Sequence, residues 1–216
     1  MNVSRETSDP SPEVEPAFAG ELFGERVDLA RRFAADLAAQ GVERGLIGPL
    51  ELPRLWTRHI VNCALVAPLL HPGRVGDVGS GAGLPGIVLA IARPDVSFVL
   101  IEPMERRVEW LRAEVAELGL DNVDVLRVRA EEAEFSPWLD QVTARAVSAL
   151  SKLIPISARL VRSGGELLFL KGASVHREVE AASAAIRKAR LSNVEVMTLG
   201  EGFATEPTRL FRATVD

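Results

Sequence analysis

Residues 75 to 86 read Val-Gly-Asp-Val-Gly-Ser-Gly-Ala-Gly-Leu-Pro-Gly. The apolar run 74–78 predicts a strand, and a helix is expected to begin near Leu84 and Pro85, where proline suits a first helical position because its missing N–H costs nothing there. Between them, Gly79, Gly81 and Gly83 let the backbone turn sharply and come closer to a ligand than any Cβ would allow. In an open α/β sheet this turn lies at the carboxyl ends of the strands, where ligands bind. Glu102 ends the next strand, and a carboxylate there can accept hydrogen bonds from both hydroxyls of a ribose. Arg129-Ala130-Glu131 ends the third strand and is expected beside a base. Together these residues point to a ligand that carries a nucleoside.

Two cofactors compete for such a turn. Gly81-x-Gly83-x-x-Gly86 matches the dinucleotide pattern, but it starts three residues after the predicted strand ends at Val78, whereas the dinucleotide fingerprint starts at the strand end itself. The spacing Asp77-x-Gly79-x-Gly81-x-Gly83 instead fits S-adenosylmethionine, and the chain has no room for the separate substrate domain of most dehydrogenases. A glycine-rich turn with no ligand is the remaining alternative.

These residues need a scaffold, and strands alternating with helices supply one. Strands are predicted at 74–78, 97–101, 123–128, 142–146 and 166–170, with helices at 84–93, 104–118, 149–161 and 176–189. Strands at 194–199 and 209–215 close the chain. This alternation predicts a mostly parallel sheet covered on both faces, with the last two strands as an antiparallel hairpin at one edge. Before it, apolar spacing predicts helices over 17–40 and 52–70, separated by a loop at 45–49. The expected organisation is a disordered tail at 1–16, a helical extension at 17–73 and a core at 74–216, the last two forming one compact domain.

Composition narrows the function classes. A chain of 216 residues suffices for one hydrophobic core. No apolar stretch approaches the ~18 residues that span a bilayer, and the opening residues lack the apolar region of a secretory signal. One cysteine, Cys63, and three scattered histidines (His59, His71, His176) argue against a disulfide or a metal site. A reducing, cytoplasmic setting is expected. The net charge of −5 is unlike that of a nucleic-acid binder, yet residues 142–177 hold six basic side chains (Arg145, Lys152, Arg159, Arg162, Lys171, Arg177) against Glu166 alone. A local positive face is therefore expected on an acidic protein.

With these segments placed, residues 50–216 resemble the bacterial small-subunit ribosomal RNA guanine-N7 methyltransferases, the glucose-inhibited division protein B family. The most specific piece is Gly79 to Gly86, with its Leu-Pro-Gly ending. Arg58-His59-Ile60, Ala144-Arg145-Ala146, Leu170-Lys171-Gly172 and Thr208-Arg209-Leu210 follow in the family's order. The resemblance implies an α/β, Rossmann-like methyltransferase fold, seven-stranded and mostly parallel, with an N-terminal helical extension. It implies S-adenosylmethionine as cofactor, held by Gly79, Leu84, Ala130, Glu131 and Arg145 with the acid at Glu102, and N7 of guanine 527 in 16S rRNA as acceptor. Lys171 and Arg209 match positions expected to face RNA or the target base. The chain departs from the family at Asn62-Cys63, where Asp-Ser is usual, across 37–48, where a tryptophan-asparagine pattern is missing, and at Glu102, where aspartate is common.

Guanine N7 carries a free in-plane lone pair, so no obligatory general base is expected, and His59 is read as structural. Arg145 and Lys171 are expected to act as orienting or electrostatic groups. Arg145, at a strand end, could meet the cofactor carboxylate, guanine O6, or a buried partner such as Asp77 or Asp140. The expected partner is 16S rRNA or a small-subunit assembly intermediate with its target base looped out, with no DNA and no membrane. A methyltransferase acting on a small molecule or a protein, and a non-catalytic RNA-binding domain, are the alternatives.

Overall fold

The computed structural model describes residues 11–203 and 207–216. Its centre is a sheet of seven strands in the order β3-β2-β1-β4-β5-β7-β6: β1 (Arg74–Val78), β2 (Ser97–Ile101), β3 (Val123–Leu126), β4 (Leu139–Arg145), β5 (Val161–Lys171), β6 (Leu191–Leu199) and β7 (Thr208–Val215). The first five pair in parallel, and β7 runs antiparallel between β5 and β6. The predicted edge hairpin is therefore present, with β6 outermost. From β1 the chain moves out through β2 and β3, then returns to lay β4 on the other side of β1. That reversal opens a crevice at the carboxyl ends of β1 and β4, where ligands bind in such sheets.

Apolar runs explain the central strands. Phe98 to Ile101 and Leu167 to Leu170 are buried without alternation, as expected of strands covered on both faces. On one face pack α4 (Gly86–Ala92), α5 (Glu105–Glu117) and the N-terminal segments, around Phe33, Leu37, Ile87, Leu100 and Trp110. On the other lie α6 (Leu150–Ala158), α7 (Val175–Ala181) and α8 (Ser183–Lys188), around Leu150, Ile154, Phe169, Val175 and Phe211.

Several predicted elements differ in detail. The helix expected over 17–40 breaks at Gly24 (φ +53°), giving α1 (Ala19–Phe23), a 3₁₀ turn (Gly24–Arg26) and α2 (Val27–Gln40). The run expected over 52–70 is helical but barely α. It comprises a 3₁₀ helix over Pro49–Arg54, a π-helix over Leu55–Val61, α3 (Asn62–Ala64) and a 3₁₀ turn over Ala67–Leu69. Pro53, which has no amide hydrogen to donate, lies inside the first of these. The helix at 176–189 divides at Ala182, and the one at 149–161 ends at Ala158, leaving Val161 to open β5. Pro85 precedes the first residue of α4 rather than occupying it.

Of the tail expected to be disordered, residues 1–10 lie outside the described residues. Residues 11–16 have no regular structure, yet they are tied down. The Glu13 amide donates to Leu52 O (2.9 Å), the Glu13 carboxylate accepts from Thr57 N (2.9 Å), and Glu15 pairs with Arg31 (2.6 Å).

Candidate active site

The glycine turn follows β1 directly. Gly79, Gly81 and Gly83 have φ of +71°, +54° and +94°, a left-handed region that other residues enter only at a cost. The Gly79 and Ser80 amides donate to Ile101 O (2.8 and 3.3 Å), which ties the turn to the end of β2. A Cβ at Gly79 would stand 2.8 Å from Val147 Cγ2, and one at Gly83 would stand 2.6 Å from Ile87 Cδ1. Gly83 thus serves the packing of α4, whereas Gly79 keeps the turn close to Val147 on the wall of a cavity that both residues line.

Glu102, almost wholly buried, holds this geometry together. Its Oε2 accepts from the Gly81 amide and its Oε1 from the Met104 amide, each at 3.0 Å, with Arg107 Nη1 3.8 Å from Oε2. Each carboxylate oxygen keeps a second lone pair. Asp77 faces the other way. It is fully buried, its Oδ2 accepts from the Gly86 amide (3.1 Å), and burial pushes its carboxyl up to about 7.

Three cavities meet at this edge of the sheet. One, of about 320 Å³, is lined by Gly79, Glu102, Ala130 and Glu131 with apolar Ile101, Met104, Val147, Leu153 and Ile156. A second, of about 290 Å³, is lined by Gly79, Gly81, Leu84, Glu51, His59 and Arg145. Gly79, Arg107 and Ala146 border both. The third, of about 590 Å³, is lined by Arg58, Asn62, Arg145, Lys171, Glu178, Thr208 and Arg209 among others. Ala146 borders all three. Its φ of +55° is a strained conformation for a residue with a Cβ, costing on the order of 1 kcal/mol.

Arg145 stands between the second and third cavities. Its Nη2 donates to His59 Nδ1 (2.5 Å), and its Nη1 to Cys63 Sγ (3.2 Å) and His59 O (3.4 Å). The buried salt bridge considered for it is not formed, since Asp77 is turned to Gly86 and Asp140 is taken by Arg162 (2.7 Å) and the Arg74 amide (2.8 Å). His59 Nε2 lies 2.7 Å from Glu51 Oε2. Burial, reinforced by the Arg145 charge and opposed by Glu51, pulls the His59 imidazole down to about 4. Burial alone would raise the Glu51 carboxyl, but hydrogen bonds from Arg54 and His59 outweigh it and hold the group below its usual range.

Lys171 and Arg209 face each other across the β5–β7 pair. Lys171 is mostly buried, its Nζ 2.7 Å from Glu178 Oε2 and 2.9 Å from Ser148 O. Arg209 makes a weak contact with Thr198 Oγ1 (3.4 Å). The unusual Asn62-Cys63 pair is built into the site: Asn62 Oδ1 accepts from the Thr208 hydroxyl, and Cys63 from Arg145.

Of the residues expected to hold a cofactor, Gly79, Gly81, Leu84, Glu102, Ala130, Glu131 and Arg145 border the first two cavities, whereas Asp77 and Gly83 border neither. Lys171 and Arg209 border the third. Glu51, Arg107, Val147 and Glu178 were not singled out from the sequence. None lies in a distinctive motif, and each reaches the site only through tertiary packing.

The paired cavities suit an elongated ligand. One end offers an apolar slot beside a carboxylate, the other a guanidinium, and the glycine turn joins them where a Cβ would intrude. S-adenosylmethionine has the matching parts: a base, a ribose diol and an amino-acid carboxylate.

The sequence matches the family described as rRNA small subunit methyltransferase G over residues 26–206. The chain belongs to this family. The ribosomal RNA small subunit methyltransferase G of Leifsonia xyli subsp. xyli is 65% identical over 205 residues, covering 95% of this chain and 98% of the relative. That of Pseudarthrobacter chlorophenolicus is 52% identical over 199 residues, covering 92% of each. Among solved structures, a SAM-dependent O-methyltransferase from Thermotoga maritima superposes with a TM-score of 0.56 at 17% identity, covering 72% of this chain and 65% of that one. The tRNA (m1A58) methyltransferase of Aquifex aeolicus gives 0.55 at 16% identity, covering 72% and 68%. These structures share the Rossmann-like methyltransferase fold expected from the sequence. As a member of the family, the chain is a methyltransferase that takes its methyl group from S-adenosylmethionine. No helix among the described residues is long and apolar enough to cross a membrane.

Proposed function

We propose that this chain methylates N7 of guanine 527 in 16S rRNA, in the cytoplasm, on the small ribosomal subunit or an assembly intermediate of it. Bound in the two joined cavities, S-adenosylmethionine would supply an electrophilic methyl group. Glu102 would accept from the ribose hydroxyls with the lone pairs left by Gly81 and Met104. Ala130 and Glu131 would border the adenine, and the amino-acid end would pass Gly79 and Gly81 toward Leu84 and Arg145. The third cavity, with Arg58, Arg145, Lys171 and Arg209 on its walls, would receive the looped-out base and its phosphates.

The observation that carries the choice of acceptor is that, among the described residues, the base candidates nearest the third cavity are already committed. His59 has one ring nitrogen on Arg145 and the other on Glu51. Glu178 is paired with Lys171, and Asp77 is turned away behind the glycine turn. A base cavity whose titratable groups are held in this way suits an acceptor whose lone pair needs no deprotonation, and guanine N7 is such an atom. The chain's task is then to hold the purine at near-attack distance, with Arg145 near O6 or the cofactor carboxylate and away from the N7 lone pair.

Single-turnover methylation of small subunits and of naked 16S rRNA, measured across pH, tests this reading. The rate at saturation is expected to be nearly flat from about pH 6.5 to 9, since no group must lose a proton before attack. A rate rising about tenfold per pH unit through this range would show that a proton leaves first, and the N7 assignment would be withdrawn.

A further inference from the structure

Arg145 is a cation held among neutral partners. A guanidinium has only N–H groups to offer, so His59 Nδ1, 2.5 Å from Nη2, must be the acceptor. A neutral imidazole that accepts at Nδ1 carries its hydrogen on Nε2. That hydrogen is donated to Glu51 Oε2 at 2.7 Å. Glu51 is itself fixed by Arg54 (2.7 Å) and Arg58 (3.3 Å). Cys63 Sγ and the His59 carbonyl hold Nη1. The π-helix over Leu55–Val61 brings His59 to this position, and wide turns of this kind occur often at functional sites.

The arrangement separates two tasks that a direct Arg–carboxylate bridge would merge. A carboxylate on Arg145 would fix its plane but would also neutralise its charge toward a ligand. Here the carboxylate sits one ring further out, so the guanidinium, which borders both cavities, is oriented while its charge is not spent on a carboxylate. We infer that Glu51 and His59 are positioning residues which, through the Nε2–H tautomer of the imidazole, set the plane of the Arg145 guanidinium between the cofactor and base cavities. The inference rests on the reading of these cavities given under the proposed function. Neither residue need touch cofactor or RNA.

A double-mutant cycle between His59 and Arg145 tests it, read in two quantities: affinity for S-adenosylhomocysteine by calorimetry, and single-turnover methylation of small subunits. Arg145→Lys keeps the charge and loses the planar fork, and is expected to lower at least one of these about ten- to a hundredfold. His59→Leu, which removes the acceptor, is expected to lower the same quantity about tenfold or more, and the double variant to be within about threefold of the worse single variant, as for residues acting as one unit. His59→Asn places an amide oxygen close to where Nδ1 was and is expected to recover most of the loss, which a purely packing role would not produce. Glu51→Ala, at the partly exposed end of the chain of contacts, is expected to cost about three- to tenfold and to be non-additive with Arg145→Lys. If His59→Leu does not fold, the Glu51 cycle decides alone. Additive losses, His59→Asn as poor as a folded His59→Leu, or an Arg145→Lys variant unchanged in both quantities would each overturn the inference. Absence of methyl transfer by the parent protein would instead count against the proposed acceptor, and the cofactor-affinity cycle would still be read.

Discussion

Glu102→Gln is the substitution whose consequences follow most fully from the geometry. Both carboxylate oxygens accept from backbone amides, Gly81 on one side and Met104 on the other, each at 3.0 Å, in a group that is 2% exposed. A glutamine of the same shape has one acceptor and one NH₂ group. One amide keeps its partner, now neutral, and the other meets a donor. Losing a charge-assisted hydrogen bond costs roughly 1.5–3 kcal/mol. Stability should therefore fall by about 2 kcal/mol even without ligand, which for a domain of this size is a drop of about 4–8 °C in Tm. Because Gly81 is one of the two amides, the turn should loosen, and affinity for S-adenosylhomocysteine should fall as well. The sugar contact is separated from this by comparing the parent and Glu102→Gln with 2′-deoxy and 3′-deoxy cofactor analogues by calorimetry. If Glu102 accepts from the ribose, removing a hydroxyl should cost less in the variant than in the parent. Fully additive losses would refute the contact, and an unchanged Tm would refute the anchoring of the turn.

Gly81→Val should reduce S-adenosylmethionine affinity at least about tenfold, or ~1.4 kcal/mol. A Cβ alone meets nothing nearer than 3.7 Å, but φ is +54° and the site borders the cavity; equal affinity in a folded variant would refute the placement. Arg209→Ala should weaken RNA binding and flatten its dependence on log salt by about one unit if the side chain meets a phosphate. Lys171→Ala should change that slope less, because its charge is already paired with Glu178. Glu114 is buried, and burial first, then the charges of Asp36 and Glu117, raise its carboxyl from 4.5 to about 7 against the opposing charges of Arg44 and Arg32. The folded state then holds the proton more tightly than the unfolded one, so this contribution is full below about pH 4.5 and lost as pH rises toward 7. Glu114→Gln should therefore stabilise the protein at pH 8 by roughly 1–3 kcal/mol and change little at pH 4.5, by urea unfolding at the two values.

What the sequence revealed of the site is what neighbouring residues encode. Gly79, Gly81 and Glu102 lie at strand ends, and a strand followed by glycines and a helix fixes their position from local signals alone. Arg145 follows by the same logic, since it closes β4, whereas β3 ends at Leu126, short of the strand expected to reach Ala130 and Glu131, which lie in the turn beyond it and still reach the same edge of the sheet. The link from Glu51 through His59 to Arg145 has no such local signature. It depends on a π turn that no residue propensity announces and on the N-terminal segments packing over the end of β4. The pairing of Lys171 with Glu178 was hidden for the same reason, and a basic residue expected to face phosphate is largely internally paired. Asp77 shows the converse. Its place in a glycine pattern suggested ligand contact, but its carboxylate is spent on Gly86 behind the turn. The division of the helix at Ala182 and the break at Gly24 are boundary effects that apolar spacing does not resolve.

The atom that receives the methyl group can be identified directly. Small subunits lacking the modification should be incubated with the protein and isotopically labelled S-adenosylmethionine, and the rRNA then digested and its labelled nucleoside identified by mass spectrometry, with the position mapped by strand cleavage at 7-methylguanosine. The label is expected in 7-methylguanosine at position 527 of 16S rRNA and nowhere else in the subunit. Label on an exocyclic nitrogen, a ribose hydroxyl or another base, with the cofactor bound normally, would contradict methylation at N7 of guanine 527.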